Sequence, residues 1–459
     1  MSALVDFIQQ LYEPQPTAPC KDNGTICVSQ RAAAAAVLSA CTDGADAAMA
    51  VFVQGCSSTL EALDLFEQWF VEQQQQTLQA TMLEQSLLER CEQGLQQQNC
   101  TLDKKAATTV QHALLRWARR RSAITCDSAQ SLHNWLTDHN QEWVVTQGDS
   151  CWPVQLNDLS IRSDWVSPLC LWGMGDRRAL TACDEPLAII GSRAASDYGA
   201  HVARQLASCA VRDGHSVISG GALGIDAHAH WGAVDAAAAD NAGPTLAVFA
   251  GGLRHIGPSS NMQLFKQMMH WRGALLSEMP PYCAPVARRF LMRNRIIAAL
   301  ASVVCVAQAR IHSGALNTAH WAQELNRELY AVPGLITRPD HTGCHRLIDE
   351  QAARVLSTCE SVEQLCHSAH QPNYSQFDAG SPTIKSTQAD DELTAVQHDI
   401  ITAIRSCQRA QCAATASHVL AALQRAQPHT VLTLPKLLAQ LTELELRAVI
   451  TNTAGCYSA

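Results

Sequence analysis

A chain of 459 residues is too long for one ordinary core, so its length predicts two or three domains. Its 47% hydrophobic content is that of a globular protein, and its net charge of −9 excludes one that coats nucleic acid with its whole surface. Charge is uneven, however: Pro186 to Leu356 holds 15 Lys and Arg against 11 Asp and Glu, a local +4 that suits one defined anion-binding groove.

Residues 1–150 read as a helical N-terminal domain, poor in Gly and Pro. The opening Met1-Ser-Ala-Leu-Val-Asp-Phe lacks the basic and apolar regions of a signal peptide. Phe66 to Gln98 carries Leu78, Met82, Leu83, Leu87 and Leu88 at three- and four-residue spacing, which predicts helix, with Gln73–Gln76 on a solvated face. The longest apolar stretch, Ile296 to Ala307, is too short for a bilayer and is interrupted by Ser302, so a cytoplasmic protein without membrane contact is expected. The 19 cysteines are odd in number and never fall as Cys-x-x-Cys, which favours buried thiols over disulfides or a metal site.

From Leu187 the pattern switches. Apolar runs at Leu187–Ile190, Ser216–Ile218, Thr245–Phe249, Ala274–Leu276, Val303–Ala307 and Leu329–Val332 alternate with amphipathic stretches about a dozen residues long. This predicts an α/β core over 151–366 built on a parallel, doubly wound sheet, whose strands are apolar throughout because both faces are covered.

Several strand ends carry glycine and hydroxyl residues. Gly191-Ser192-Arg193 offers close backbone approach, a hydroxyl and a planar guanidinium fork; an ordinary strand-to-helix turn would look the same. Ser219-Gly220-Gly221-Ala-Leu-Gly-Ile-Asp226 repeats the logic, yet fits neither Gly-x-Gly-x-x-Gly nor a P-loop, so phosphate transfer from ATP has no evident machinery. Asp226 and His230, at i and i+4, are expected to share a buried hydrogen bond that shapes this loop. Arg288, Arg289, Arg293 and Arg295 crowd one short segment beside Asn294; Arg293 and Arg295 cannot share a helical face, so one is expected to hold structure and the other to contact ligand. Ser313-Gly314 supplies a third donor-rich turn, and three such turns converge on one sheet edge.

Residues 367–391 have a linker composition, and 392–459 read as three helices (Asp391–Ser406, Ala413–Gln424, Leu434–Leu444) and a hairpin, a small winged-helix-like C-terminal domain.

These segments resemble the DNA-processing protein A family (DprA, also called Smf). The resemblance rests on Ile190-Gly-Ser-Arg193, Ser219-Gly-Gly-Ala-Leu-Gly-Ile-Asp-Ala-His-Ala-His230, Leu276-Ser-Glu-Met-Pro280, Phe290-Leu-Met-Arg-Asn-Arg-Ile-Ile297, Ser313-Gly-Ala-Leu-Asn-Thr-Ala319 and Ala331-Val-Pro-Gly334. It implies an extended Rossmann-like core that binds single-stranded DNA in a positive pocket, usually as a homodimer. It also implies protection of incoming strands during natural transformation and help in loading the RecA recombinase, with no catalysis and no cofactor. Carried over by motif, Gly191, Ser192, Arg193, Ser219, Gly220, Gly221, Asn261, Arg293, Asn294, Ser313 and Gly314 line that pocket; Arg254, Arg288 and Arg295 complete the expected DNA-binding set. The chain departs from the family pattern in Gly252-Leu-Arg-His-Ile-Gly-Pro-Ser-Ser-Asn261: Gly257 stands for a usual Tyr, Ser259 for a frequent Lys, and Arg254 for an acidic residue. Gln308 replaces a common Glu, His345 an Asn, and Asp235–Asn241 is an Ala-rich insertion. Two other readings compete: a nucleotide-hydrolysing Rossmann-like enzyme, although Pro-Gly-Gly-x-Gly-Thr-x-x-Glu is missing, and an adaptor acting through the winged helix.

Overall fold

In a computed structural model, residues 3–12, 28–160 and 166–366 are described, together with isolated positions between 400 and 458. Among the described residues seven helices come first: α1 (Ala3–Leu11), α2 (Gln30–Ala40), α3 (Ala47–Gln54), α4 (Thr59–Gln75), α5 (Leu78–Gln97), α6 (Lys104–Arg121) and α7 (Ala129–Thr137). The stretch expected as one helical run over Phe66–Gln98 is two helices. Gln76 takes a left-handed conformation (φ 55°) that ends α4, and the Thr77 hydroxyl accepts from Ala80 N to start α5. Leu78 and Met82 consequently face solvent, whereas Leu87 is buried.

A nine-stranded sheet follows. Its strands are β1 (Trp143–Thr146), β2 (Cys170–Gly175), β3 (Leu187–Gly191), β4 (Val217–Ser219), β5 (Thr245–Phe249), β6 (Ala274–Ser277), β7 (Val303–Gln308), β8 (Glu328–Ala331) and β9 (Arg354–Val355). The connecting helices are α8 (Asp197–Arg212), α9 (Ile225–Ala236), α10 (Met262–His270), α11 (Ala287–Leu300), α12 (Ala315–Glu324) and α13 (Thr342–Asp349). The order is β1-β2-β6-β5-β4-β3-β7-β8-β9. β3 to β8 pair in parallel as the apolar runs predict, β9 adds a further parallel strand that no apolar run announced, and β1 and β2 pair antiparallel and extend the β6 edge.

Alternation along the strands sorts the core into layers. Leu187 and Ile189 of β3, with Val303, Cys305 and Ala307 of β7, pack under α8 and α9. Ala188, Ile190, Val304 and Val306 point the other way, against α11 and α12. On β5 the first set of faces continues differently: Ala247 and Phe249 join a core shared with the N-terminal helices, which also takes Trp172 and Leu275. The helical segment thus roofs one half of a sheet face, and the chain forms two compact units, Met1–Gly380 and Ser381–Ala459.

The proposed linker 367–391 lies outside the described residues, as does most of the expected three-helix set. Within the second unit β10 (Thr451–Thr453) and β11 (Cys456–Ser458) pair as an antiparallel hairpin, and Ile400, Ala403, Ile404, Val419, Leu437 and Leu441 share a small apolar core.

Candidate nucleic-acid interface

Strand order reverses beside β3, with β4, β5 and β6 laid down to one side and β7, β8 and β9 to the other. Diverging crossovers leave a crevice at the carboxyl ends of the strands at such a point. Here it is a cavity of about 700 Å³. Gly191, Ser192 and Arg193 wall it from β3, Ser313 and Gly314 from the turn before α12, and Ala222 and Asp226 from the glycine loop after β4. α11 presents Phe290, Arg293, Asn294 and Ile297, an i, i+3, i+4, i+7 set that forms one helical face. A second cavity of about 300 Å³ adjoins it and shares Arg193, Ala222, Phe290 and Arg293 with the first.

Backbone hydrogen bonds fix the loops to one another. Ser192 N donates to Gln308 O at 2.8 Å, and Ile225 N donates to Ser192 O at 3.1 Å. The second contact requires Gly224, whose φ of 75° and closeness to the Ser192–Arg193 backbone leave no room for a side chain. Gln308 extends the tie: its Oε1 accepts from Ser196 N and its Nε2 donates to Ser196 Oγ, both at 2.9 Å, and Ser196 caps α8. On the third turn, Asn294 donates to Gly314 O at 3.3 Å and to Asn317 Oδ1 at 3.2 Å.

Arg293 is buried, and its Nη1 donates to Gly220 O at 2.8 Å and to Val248 O. A Cβ on Gly220 would fall against both this guanidinium and the Asp226 carboxylate, so glycine lets the two charges face each other. Burial holds Arg293 down to about 10 and pushes the Asp226 carboxyl up, while each partially offsets the other's shift. Asp226 Oδ2 accepts from Ala222 N at 3.3 Å. The expected Asp226–His230 hydrogen bond is replaced by a different pairing. His230, one turn further along α9, reaches the start of β5 and bonds Thr245 Oγ1 at 2.8 Å, while Asp226 turns back onto its own loop. Burial lowers His230 to about 3, so the ring is neutral.

Arg193 differs from its neighbours. It is exposed, lies 5.1 Å over the Phe290 ring, and has no carboxylate partner among the described residues. The other arginines are engaged. Arg310 pairs with Asp340 at 2.9 Å, and Arg288 and Arg289 both pair with Asp43 in the turn after α2.

Of the expected set, Gly191, Ser192, Arg193, Gly220, Arg293, Asn294, Ser313 and Gly314 line the two cavities. Ser219 and Asn261 lie beneath: Ser219 Oγ donates to Ile189 O at 2.6 Å, and the Asn261 amide donates to Gly221 O and Ala222 O at 3.1 and 3.2 Å. Gly221 (φ 67°) turns the loop over Phe249. Three arginines line neither cavity. Arg295 is buried in a two-pronged pair with Glu278 at 2.6 and 2.9 Å; Arg254 pairs with buried Asp138; Arg288 turns to Asp43. The sequence reading passed over Leu291, Ile311, Thr318, Pro339 and Thr342 as wall residues. Leu291 and Thr318 were reachable from helical spacing, while Pro339 and Thr342 arrive through a later loop with no motif of its own.

A doubly wound sheet with a cationic, hydroxyl-lined crevice at its switch point is the architecture in which α/β folds place their ligand crevices. Comparison gives the family: residues 143–367 match the model of DNA recombination-mediator protein A, and the chain belongs to that family. It is 38% identical over 230 residues to a DNA processing protein DprA of Mycobacterium tuberculosis, covering 49% of this chain and 58% of that protein. Against the DprA of Streptococcus pneumoniae it is 35% identical over 212 residues, covering 46% of this chain and 69% of that one. The chain thus spans less than two thirds of the Mycobacterium relative. The solved structure of the Streptococcus pneumoniae protein superposes with a TM-score of 0.48 at 27% identity, over 66% of this chain and 97% of that one.

Proposed function

We propose that this chain binds single-stranded DNA in the crevice, chiefly through phosphates, protects it, and helps deliver it to the RecA recombinase without chemical turnover. The observation that carries the reading is Arg193: an exposed guanidinium, without a carboxylate partner among the described residues, stacked on Phe290 where the turns after β3 and β7 meet the face of α11. Phosphate contact and an aromatic platform are what a sequence-tolerant strand binder needs. Two of the groups that would suit acid–base chemistry are already occupied. Asp226 is held by its own loop, and His230 is sealed under the sheet. A homodimer, a cytoplasmic location and a winged-helix module over 392–459 beyond a linker at 367–391 belong to the same proposal.

Anisotropy of a labelled oligo-dT over a salt series tests it. Each phosphate contact contributes about 0.7 to the log–log slope, so Arg193→Ala should flatten the slope by about that amount. Phe290→Ala should weaken binding by about 1–3 kcal/mol with little change in slope. Tight binding indifferent to both changes would move the site to residues 392–459, and no binding would favour the adaptor reading.

A further inference from the structure

Helix α6 holds six Lys and Arg and neither Asp nor Glu, in a chain whose net charge is −9. Helical spacing sorts its residues. Val110, Ala113, Leu114, Trp117 and Ala118 are buried on one side, whereas Lys105, Thr109, His112, Arg116 and Arg119 recur every three or four residues on the other and are all exposed. At 1.5 Å per residue this stripe is about 21 Å long. Lys105, Arg116 and Arg119 have no carboxylate partner among the described residues. Acids beside the helix are engaged off the stripe: Glu67 pairs with Arg121, Asp46 accepts from Trp117 Nε1 at 3.0 Å, and Glu84 accepts from Gln111 at 2.8 Å.

The stripe ends beside the crevice. Arg120, in the last turn of α6, reaches Asp43 at 3.5 Å, where Arg288 and Arg289 of α11 also converge; Phe290, the next residue, is a wall of the crevice. Three guanidiniums on one carboxylate leave two positive charges in excess at this junction. Gly44 seats the turn on α11, since a Cβ there would fall 2.7 Å from Met292 Cε. We propose that the exposed face of α6 carries a single strand onward after it leaves the crevice, as a second and purely electrostatic stretch of one path. The inference rests on the strand-binding reading above. A polyanion longer than the crevice must run on over the surface. The stripe gives it cations in line, joined to the crevice wall by the excess positive charge around Asp43. The occupant is backbone rather than base: no Phe, Tyr or Trp lies on the stripe, so it offers phosphate contact without a stacking platform.

The test titrates the full chain, over a salt series, with labelled oligo-dT of about 5 and about 30 nucleotides, at the bottom of and well beyond the roughly 4–16 that one strand-binding domain occupies. The long strand should give the steeper log–log slope. Arg116→Ala combined with Arg119→Ala should remove about 1.4 of it, at about 0.7 per contact, and leave the short strand's slope and affinity unchanged. Arg116→Lys combined with Arg119→Lys should keep the wild-type slope, because a point charge suffices there. Alanine favours helix at both exposed sites, and an unchanged thermal midpoint checks that the variant is folded. A long-strand slope that the alanine pair does not alter overturns the path, as does an equal loss for both lengths; either leaves strand binding in the crevice standing. Arg193→Ala separates the two readings, since it should weaken both lengths. If neither length binds, or neither responds to Arg193→Ala, the strand-binding reading falls and the path with it.

Discussion

Two arginines spaced two apart on α11 have opposite fates, and the difference is legible only once their surroundings are known. Arg295 sits among Glu278, Val166 O and Met292 O, entirely inside the protein. Arg295→Ala leaves the Glu278 carboxylate buried without its cation and should cost about 3–5 kcal/mol of stability, read from denaturant midpoints. Strand affinity per folded molecule should stay unchanged. Arg293→Ala is expected to lower stability and binding together, because the same guanidinium supports Gly220 O and faces the cavity. The helical spacing in the sequence was enough to say that the two cannot act alike. It could not say which one turns inward, since Glu278 lies on a distant strand end. The ion pairs of Arg254 and Arg288 were hidden for the same reason: their acidic partners, Asp138 just beyond α7 and Asp43 in the turn after α2, lie far away in sequence.

Among elements, the strands from β3 to β8 were readable because parallel strands buried on both faces appear as unbroken apolar runs. β1 and β2 escaped notice. Trp143–Thr146 and Cys170–Gly175 are an antiparallel extension at the sheet edge, outside the strand–helix alternation that revealed the rest. The α4–α5 break was hidden by Gln76, a residue with no breaker signature that nevertheless adopts a left-handed cap. Thr77→Ala should cost about 1 kcal/mol by removing the cap of α5, measurable as a lower thermal midpoint. The approach to α11 offers a functional counterpart. Asp43 draws Arg288, Arg289 and Arg120 together. Asp43→Ala should free that charge beside the crevice and steepen the salt dependence of oligo-dT binding, with a stability change within about 1 kcal/mol.

For the molecule as a whole, two buried titratable groups give opposing pH dependences. His230 is held neutral, down to about 3, so between about 6.5 and 3 the unfolded chain binds the extra proton and stability falls as pH falls. Glu142 is fully buried with neither carboxyl oxygen hydrogen-bonded, and burial pushes it up to about 7. Between about 4.5 and 7 the folded chain therefore holds the extra proton, and stability falls as pH rises. Each contributes a slope of about 1.4 kcal/mol per pH unit, so they cancel between about 4.5 and 6.5. Glu142→Gln should unmask a stability that declines on acidification across that window, and His230→Gln the reverse, both read from urea midpoints.

The roof that the N-terminal helices form over β5, β6 and β2 also governs how the chain is made. Leu38 leaves the ribosome long before Leu275, its fellow in the same core, and at about 5–20 residues per second the wait is roughly 10 to 50 s. During that interval the helices carry apolar faces with no sheet to cover. Chaperone capture of nascent chains should therefore peak before β6 emerges and fall once it has.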